Sequence, residues 1–445
     1  MSSYLVRNCD IANFDTMAVS RKDILVSGDR ILRISEHILP EEFQDATVID
    51  AKGKLVMPSF ADMHTHMLQT FLKGPMDDYP ITQWLVRLFT IADYMDEEAA
   101  YYSALLGCLS SLRFGTTTIN EMGDWMHFEP LLKAFEDSGI RAVIGINTTD
   151  IAENEATPLL TVEEALRRNE YVYEHAHGKN GGLIHASCAP AGLPACSKKL
   201  VQALKQFADH RDLVFHTHLA EGRKETEDVR RMYIISGEGE ALYQFGILGP
   251  KTVLAHNIWL SDAELDRIKE TGANPVHCPN TNLKISDGIA PFAAMQKKGI
   301  NVCFGCDGEA SSSTRDMIRE GRMGAYLQKG MTLDPTVFDA GYVFKAMTKN
   351  GPKALGYNDL GELKEGNLAD FILVDMSDDL SLVNRDYRIG NLLYAGDGHA
   401  VDTVFCAGKI LVKDKHLTMF DEGKIIEKCE QVVYDLNRKL EKAGL

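Results

Sequence analysis

Two imidazoles with one residue between them close an apolar run: "KLVMPSFADMHTHM" carries His64 and His66, with Asp62 two residues before them. In a strand, residues i and i+2 project to the same face, so this pair can converge on one point. A point that needs two neutral imidazoles is a divalent metal such as zinc. A polar strand end whose histidines bond to neighbours has the same spacing, and the pair alone does not separate the two readings. Further residues of the same kind recur along the chain. "FHTHLAE" holds His216, His218 and Glu221, "VLAHN" holds His256, and "FGCDG" holds Asp307. Each follows an apolar run, where solvent-facing histidines have no reason to sit. One such coincidence is cheap, but four favour a shared site.

The elements that must position these residues follow from the texture. Residues 1 to 57 read as short strands and turns, with a hairpin signal at "DILVSGDRILRIS" and the same device repeated around "AKGK". From residue 58 onward, apolar runs alternate with helical periodicity. The runs are "GTTTIN", "RAVIGIN", "GLIHASCAP", "LVFHTHLAE", "TVLAHNI", "ANPVHCP" and "NVCFGCDG", and "KKLVQALKQFADH" and "DAELDRIKETG" are helical segments between them. Repeated β-α units predict a parallel sheet, and eight of them close a barrel whose chemistry gathers where the strands end. After "TKNGPKALGY" strand texture returns in "LADFILVD" and "AVDTVFCAGKILVKD", and the chain finishes on a polar helix. The expected fold is α/β: a (β/α)8 TIM-like barrel over 58–356. A small β-sandwich domain is expected from both ends of the chain, 1–57 and 357–445, the latter with the terminal helix.

Composition narrows the partners. The chain has 445 residues, 45% hydrophobic and 25% charged, as in an ordinary globular protein. Its 47 basic and 64 acidic residues give a formal charge of −17, which disfavours nucleic acid or an anionic membrane as partner. No run approaches the roughly 18 apolar residues of a membrane span. No secretory signal is read at the start, and nine cysteines embedded in apolar runs fit reduced, buried thiols and a cytoplasmic location. The C-x-x-C of Cys303 and Cys306 has no second pair with which to form a zinc cluster.

As a set, "PSFADMHTHMLQTFLKG", "THLAE", "LAHNIWLSDAEL", "HCPNTNLKISDGIAPF" and "GCDGEASSS" resemble the amidohydrolase superfamily. The likeness is to its aminohydrolase branch acting on N-heterocycles: cytosine, guanine and adenosylhomocysteine deaminases and the triazine hydrolases. It covers almost the whole chain. By that resemblance His64, His66, His218 and Asp307 are metal ligands for one divalent ion, zinc first and iron as the alternative. Three imidazoles and a carboxylate leave a position for water. The resemblance makes Glu221 the proton shuttle, His256 the residue that orients the attacking water, and Asp307 a second proton acceptor. His218 is preferred over His216 because "HLAE" is the family's ligand-plus-acid segment. Binuclear relatives carry an acid or a lysine at the end of the fourth strand. "GLIHASCAP" offers neither, so a mononuclear site is expected and His185 reads as an interior polar group.

The implied reaction is hydrolysis of an exocyclic C–N bond on a small N-heteroaromatic ring, releasing ammonia or an amine. The expected partners are that heterocycle, water and further copies of the chain. Opening of a cyclic amide and a non-catalytic scaffold are the alternatives. The glutamate of "HLAE" favours deamination, because a ring nitrogen must be protonated before the amine departs. Gln69, Trp84 and Glu121 are candidate substrate contacts. Family members that bind nucleosides hold the sugar with a glutamate, a histidine and an arginine. At the corresponding places stand Thr82 and Gln83, Ala191, and Ile146 with Asn147. Unpaired hydroxyls are costly to bury, so a free base is expected to outcompete its nucleoside. "APAGLP" and "HMLQTFLKG" look closer to the triazine and oxidised-purine hydrolases.

Overall fold

The computed structural model describes residues 3–39, 43, 45–152 and 157–445, with the side chains of Thr82 and Ser381 outside the description. By contacts the chain forms two units. One comprises Met1–Asp62, Leu109–Thr118 and Arg315–Glu422, and the other Met63–Cys108, Ile119–Thr314 and Gly423–Leu445.

The first unit is organised by a mixed nine-stranded sheet drawn from both ends of the chain. Leu55–Pro58 is the seam. It runs parallel to Ser3–Ala12 through Asp10↔Leu55 and antiparallel to Phe371–Val374 through Leu373↔Val56. Val6, Ile24, Val56, Phe371 and Phe405 are fully buried together, with the Phe371 and Phe405 rings stacked at 4.3 Å. The hairpin signal is realised: Val19–Ser27 pairs antiparallel with Arg30–Ser35, and Gly28 turns between them at φ +62°. The "AKGK" turn is not a hairpin. Thr47–Asp50 and Leu55–Pro58 both run parallel to Ser3–Ala12, one beside its start and the other beside its end. A jog at Gly53 (φ +83°) lets the chain continue along the same edge rather than reverse.

The second sheet is parallel and closes on itself. Its strands in order are Phe60–His66, Thr116–Gly123, Arg141–Thr148, Ile184–Pro190, Val214–Leu219, Thr252–His256 and Asn274–His277. The eighth is split. Cys303–Phe304 pairs with the seventh through Val276↔Cys303, and Asp307–Gly308 pairs with the first through Thr65↔Asp307. Gly305 lies between the halves, where a Cβ would stand 2.9 Å from the His64 backbone nitrogen. Only glycine lets the two strands approach this closely. The strand candidates read from apolar runs are all realised. The helix Lys198–His210 starts at Ser197, whose hydroxyl accepts from Leu200 N, and buries Leu200, Val201, Leu204 and Phe207 at helical spacing. Asp262–Thr271 opens on a capping box of Ser261 and Glu264.

The last helix, Glu422–Ala443, buries Cys429, Val432, Leu436 and Leu440 in a cluster with Phe71, Leu72, Met76, Trp84 and Ile91. Its apolar stripe therefore packs on residues of the barrel unit. Among the described residues no helix is long and apolar enough to cross a membrane.

Candidate active site

The C-terminal ends of the barrel strands carry the polar residues singled out above. Backbone breaks occur at the same places: Ala220 (φ +51°), His256 (φ +73°), Asn257 (φ +59°) and Asp307 (φ +63°) all leave their strands in the left-handed region. Non-glycine residues rarely adopt it and pay for it, so four at one rim mark a constrained site.

Four imidazoles are each fixed at Nδ1. His64 Nδ1 shares a hydrogen bond of 2.9 Å with His216 Nε2. His66 Nδ1 donates to Met122 O at 2.8 Å, and His218 Nδ1 donates to Ala191 O. His256 Nδ1 donates to Asn282 Oδ1 at 3.0 Å. Each bond turns the opposite nitrogen, Nε2, inward. His64 Nε2 and His66 Nε2 stand 3.4 Å and 3.5 Å from Asp307 Oδ1. Those separations are long for hydrogen bonds. They match the spacing of about 3.3 Å that two ligands keep around a tetrahedral ion with bonds of about 2.0–2.1 Å. Ligand atoms of His64, His66 and His218, of His64, His256 and Asp307, and of His218, Glu221 and His256 lie within 4.8 Å of one another in each group. His256 Nε2 is buried without a hydrogen-bond partner, 3.5 Å from Glu221 Oε1.

The electrostatics suit a cation. Burial depresses His66 to about 4 and holds His64, His218 and His256 below the usual imidazole range, so all four rings are neutral at pH 7, as ligands must be. Burial alone would raise Asp307, but His64, His256 and His66 outweigh it and keep the carboxylate ionised. Glu221 behaves differently: burial pushes it up to about 7. The donor set therefore fits a zinc ion at His64, His66, His218 and Asp307.

A cavity of about 670 Å³ opens over this cluster. Gln69, Trp84, Glu121, Asn147, Ala191, Glu221, His256 and Asp307 all line it. Trp84 also belongs to the buried cluster under the last helix, so it serves packing and wall alike. Glu121 accepts from Thr65 Oγ and from Met67 N at 3.0 Å, bracing the exit of the first strand. Lys73 is tied to Glu309 at 2.7 Å. Ile146 is buried, and the Thr82 side chain lies outside the described residues. His185 stacks edge-on with His177 at 4.9 Å, and all nine cysteines are buried. Sequence reading missed Asp287, whose side chain hydrogen-bonds Glu221 and whose pKa burial raises. "ISDG" reads only as a turn.

The Amidohydrolase family profile matches residues 55–411. The chain belongs to that family. It is 33% identical over 423 residues to the 5'-deoxyadenosine deaminase of Methanothermobacter thermautotrophicus, covering 95% of this chain and 96% of that protein. It is 34% identical over 412 residues to the 5-methylthioadenosine/S-adenosylhomocysteine deaminase of Aquifex aeolicus, covering 92% and 93%. Among solved structures, an adenosine deaminase from Xanthomonas campestris with bound zinc superimposes with a TM-score of 0.89 at 25% identity, over 98% of this chain and 99% of that one. Triazine hydrolase shares the fold at 20% identity. Whole-chain identity to the nucleoside deaminases thus exceeds that to triazine hydrolase, whatever "APAGLP" and "HMLQTFLKG" suggest locally. A handful of pocket residues weigh little against a scaffold of this size.

Proposed function

We propose that this amidohydrolase is a zinc-dependent deaminase of an N-heteroaromatic amine that carries a largely apolar extension. The approach of His64 and His66 Nε2 to Asp307, with His218 grouped beside both imidazoles and a raised Glu221 next to it, supports the reaction class. A zinc ion held there would act as a Lewis acid and make water acidic enough to supply a nucleophile near neutral pH. Glu221, with a pKa near operating pH, can take a proton from water and deliver it to a ring nitrogen. His256, neutral and pinned by Asn282, orients water through its inward nitrogen, and Asp307 accepts the remaining proton. The exocyclic C–N bond then breaks: the ring keeps the proton that Glu221 delivered, and the amino group takes the proton held by Asp307 and leaves as ammonia.

Cavity size supports the extension. About 670 Å³ is in the range of about 300–1,000 Å³ that holds drug-sized ligands, and a bare base would leave much of it empty. Leu72, Ile81, Leu85, Leu88 and Phe89 line one wall, and Met126, Leu159 and Leu160 line another. This reading departs from the free-base preference that the missing sugar partners suggest. Ammonia release across a panel of purine bases, their nucleosides, 5'-deoxyadenosine, pterins, pyrimidines and triazines tests it. No release from any member by zinc-loaded protein would sink the deaminase reading.

A further inference from the structure

A second carboxyl closes on Glu221 from the loop after the seventh strand. Asp287 is 6% exposed. Its backbone is clamped at both polar groups: Asp287 N donates to Asn282 O at 2.9 Å, and Trp259 Nε1 donates to Asp287 O at 3.0 Å. The side chain is therefore spare as far as holding the loop is concerned. It hydrogen-bonds Glu221, while its Oδ2 is buried with no partner. The same Asn282 that receives the Asp287 amide also accepts from His256 Nδ1 at 3.0 Å. His256 Nε2 in turn stands 3.5 Å from Glu221 Oε1. Glu221, His256, Asn282 and Asp287 thus stand as consecutive neighbours.

We infer that Asp287 is a positioning residue that fixes the Glu221 carboxyl against His256 and the cavity. The inference rests on Glu221 being the proton carrier of the proposed reaction. A buried carboxyl facing a half-buried one is costly unless one supplies a proton to the other, so a fold has no packing reason to set Asp287 and Glu221 together. One carboxyl of the pair then donates and the other accepts, and the flexible glutamate is held in a single orientation. Without that bond Glu221, already followed by Gly222, is free to turn toward the open cavity.

The test is a mutant cycle on the zinc-loaded protein with the best substrate of the panel. Asp287→Ala should lower kcat by about 10- to 100-fold, the scale for a misplaced catalytic group. It should leave KM within about twofold and metal content and Tm unchanged, and Asp287→Asn, which keeps a hydrogen bond, should restore most of the loss. In a Glu221→Gln background Asp287→Ala should cost nothing further, because residues acting as a unit are not additive. An equal loss in both backgrounds, or a loss that follows metal content, would overturn the inference. A crystal structure of Asp287→Ala reads the same point without turnover. Glu221 turned away from His256 supports positioning, and Glu221 unmoved refutes it. An inactive wild type would count against the deaminase reading alone.

Discussion

His216 and His64 meet ring to ring, Nε2 to Nδ1 at 2.9 Å, with both rings fully buried. The bond leaves His64 Nε2 facing Asp307 and occupies His216 Nε2. His216→Phe should accordingly weaken zinc binding by about 10- to 100-fold, the usual cost of losing the partner behind a ligand, without abolishing it. Equilibrium dialysis against competing chelator measures this. Affinity at the wild-type level would show the contact to be packing only.

Zinc itself should be present at about one equivalent after purification without chelators. The three groups of ligand atoms overlap through His64, His218 and His256, and the fourth strand contributes no carboxylate or lysine. Because a metal that binds only the folded chain stabilises it by mass action, chelation should also lower Tm. Elemental analysis giving two equivalents would refute the single-ion site.

Much of this was legible in the sequence because the chemistry sits where apolar runs stop. "HTH", "THLAE", "LAHN" and "CDG" each announce a strand end, and period two sets their faces. His216 and His218 could not be told apart that way, since they share a face and both are imidazoles. Their register differs, for His216 pairs with Val253 and His218 with Ala255, and among the described residues the grouped ligand atoms include those of His218 and not of His216. The split eighth strand was hidden for a different reason. Gly305 reads as a weak point in a strand, whereas its role is to admit the first strand's backbone. Asp287 was invisible because its partner is 66 residues away in sequence by simple subtraction from Glu221 and meets it only through the folded loops.

Glu221→Gln should keep the metal yet lose about 10² to 10⁴ in kcat, because an amide cannot relay a proton. Metal content measured beside initial rates separates this from site collapse. Turnover near the wild-type rate would move the proton carrier elsewhere.

Acid should unfold the protein partly through His277, which is buried, stacked on Phe292 at 4.1 Å, and lowered by burial from 6.5 to about 3. A depressed imidazole is neutral in the fold and binds its proton on unfolding. Its stabilisation is therefore present above pH 6.5 and lost as pH falls from there toward 3. At pH 5 the gap of 1.5 units at about 1.4 kcal/mol each makes about 2 kcal/mol. Denaturant unfolding of the metal-free protein at pH 7 and pH 5 should show His277→Gln losing that much less than wild type. Parallel losses in the two proteins would mean that His277 stays neutral for no thermodynamic gain.

Substrate size can be decided by pairing each base with its extended form: adenine with adenosine and 5'-deoxyadenosine, and guanine with guanosine. Two physical effects oppose one another. Replacing three sugar partners forfeits roughly 0.5 to 1.5 kcal/mol per hydrogen bond, which favours the base. Burying an apolar extension returns about 25 cal/mol per Å², so about 100 Å² contributes about 2.5 kcal/mol. Asn147, Thr149 and Glu225 also line the cavity and can meet sugar hydroxyls that the absent residues do not. The balance should favour the extended substrate in kcat/KM, most clearly for 5'-deoxyadenosine, which presents one hydroxyl fewer to an apolar wall. Trp84→Ala should reduce that preference while sparing turnover of the bare base, since the ring forms wall rather than machinery. If the base wins in whichever pair reacts, the lost sugar partners outweigh the cavity, and the ring alone is the substrate.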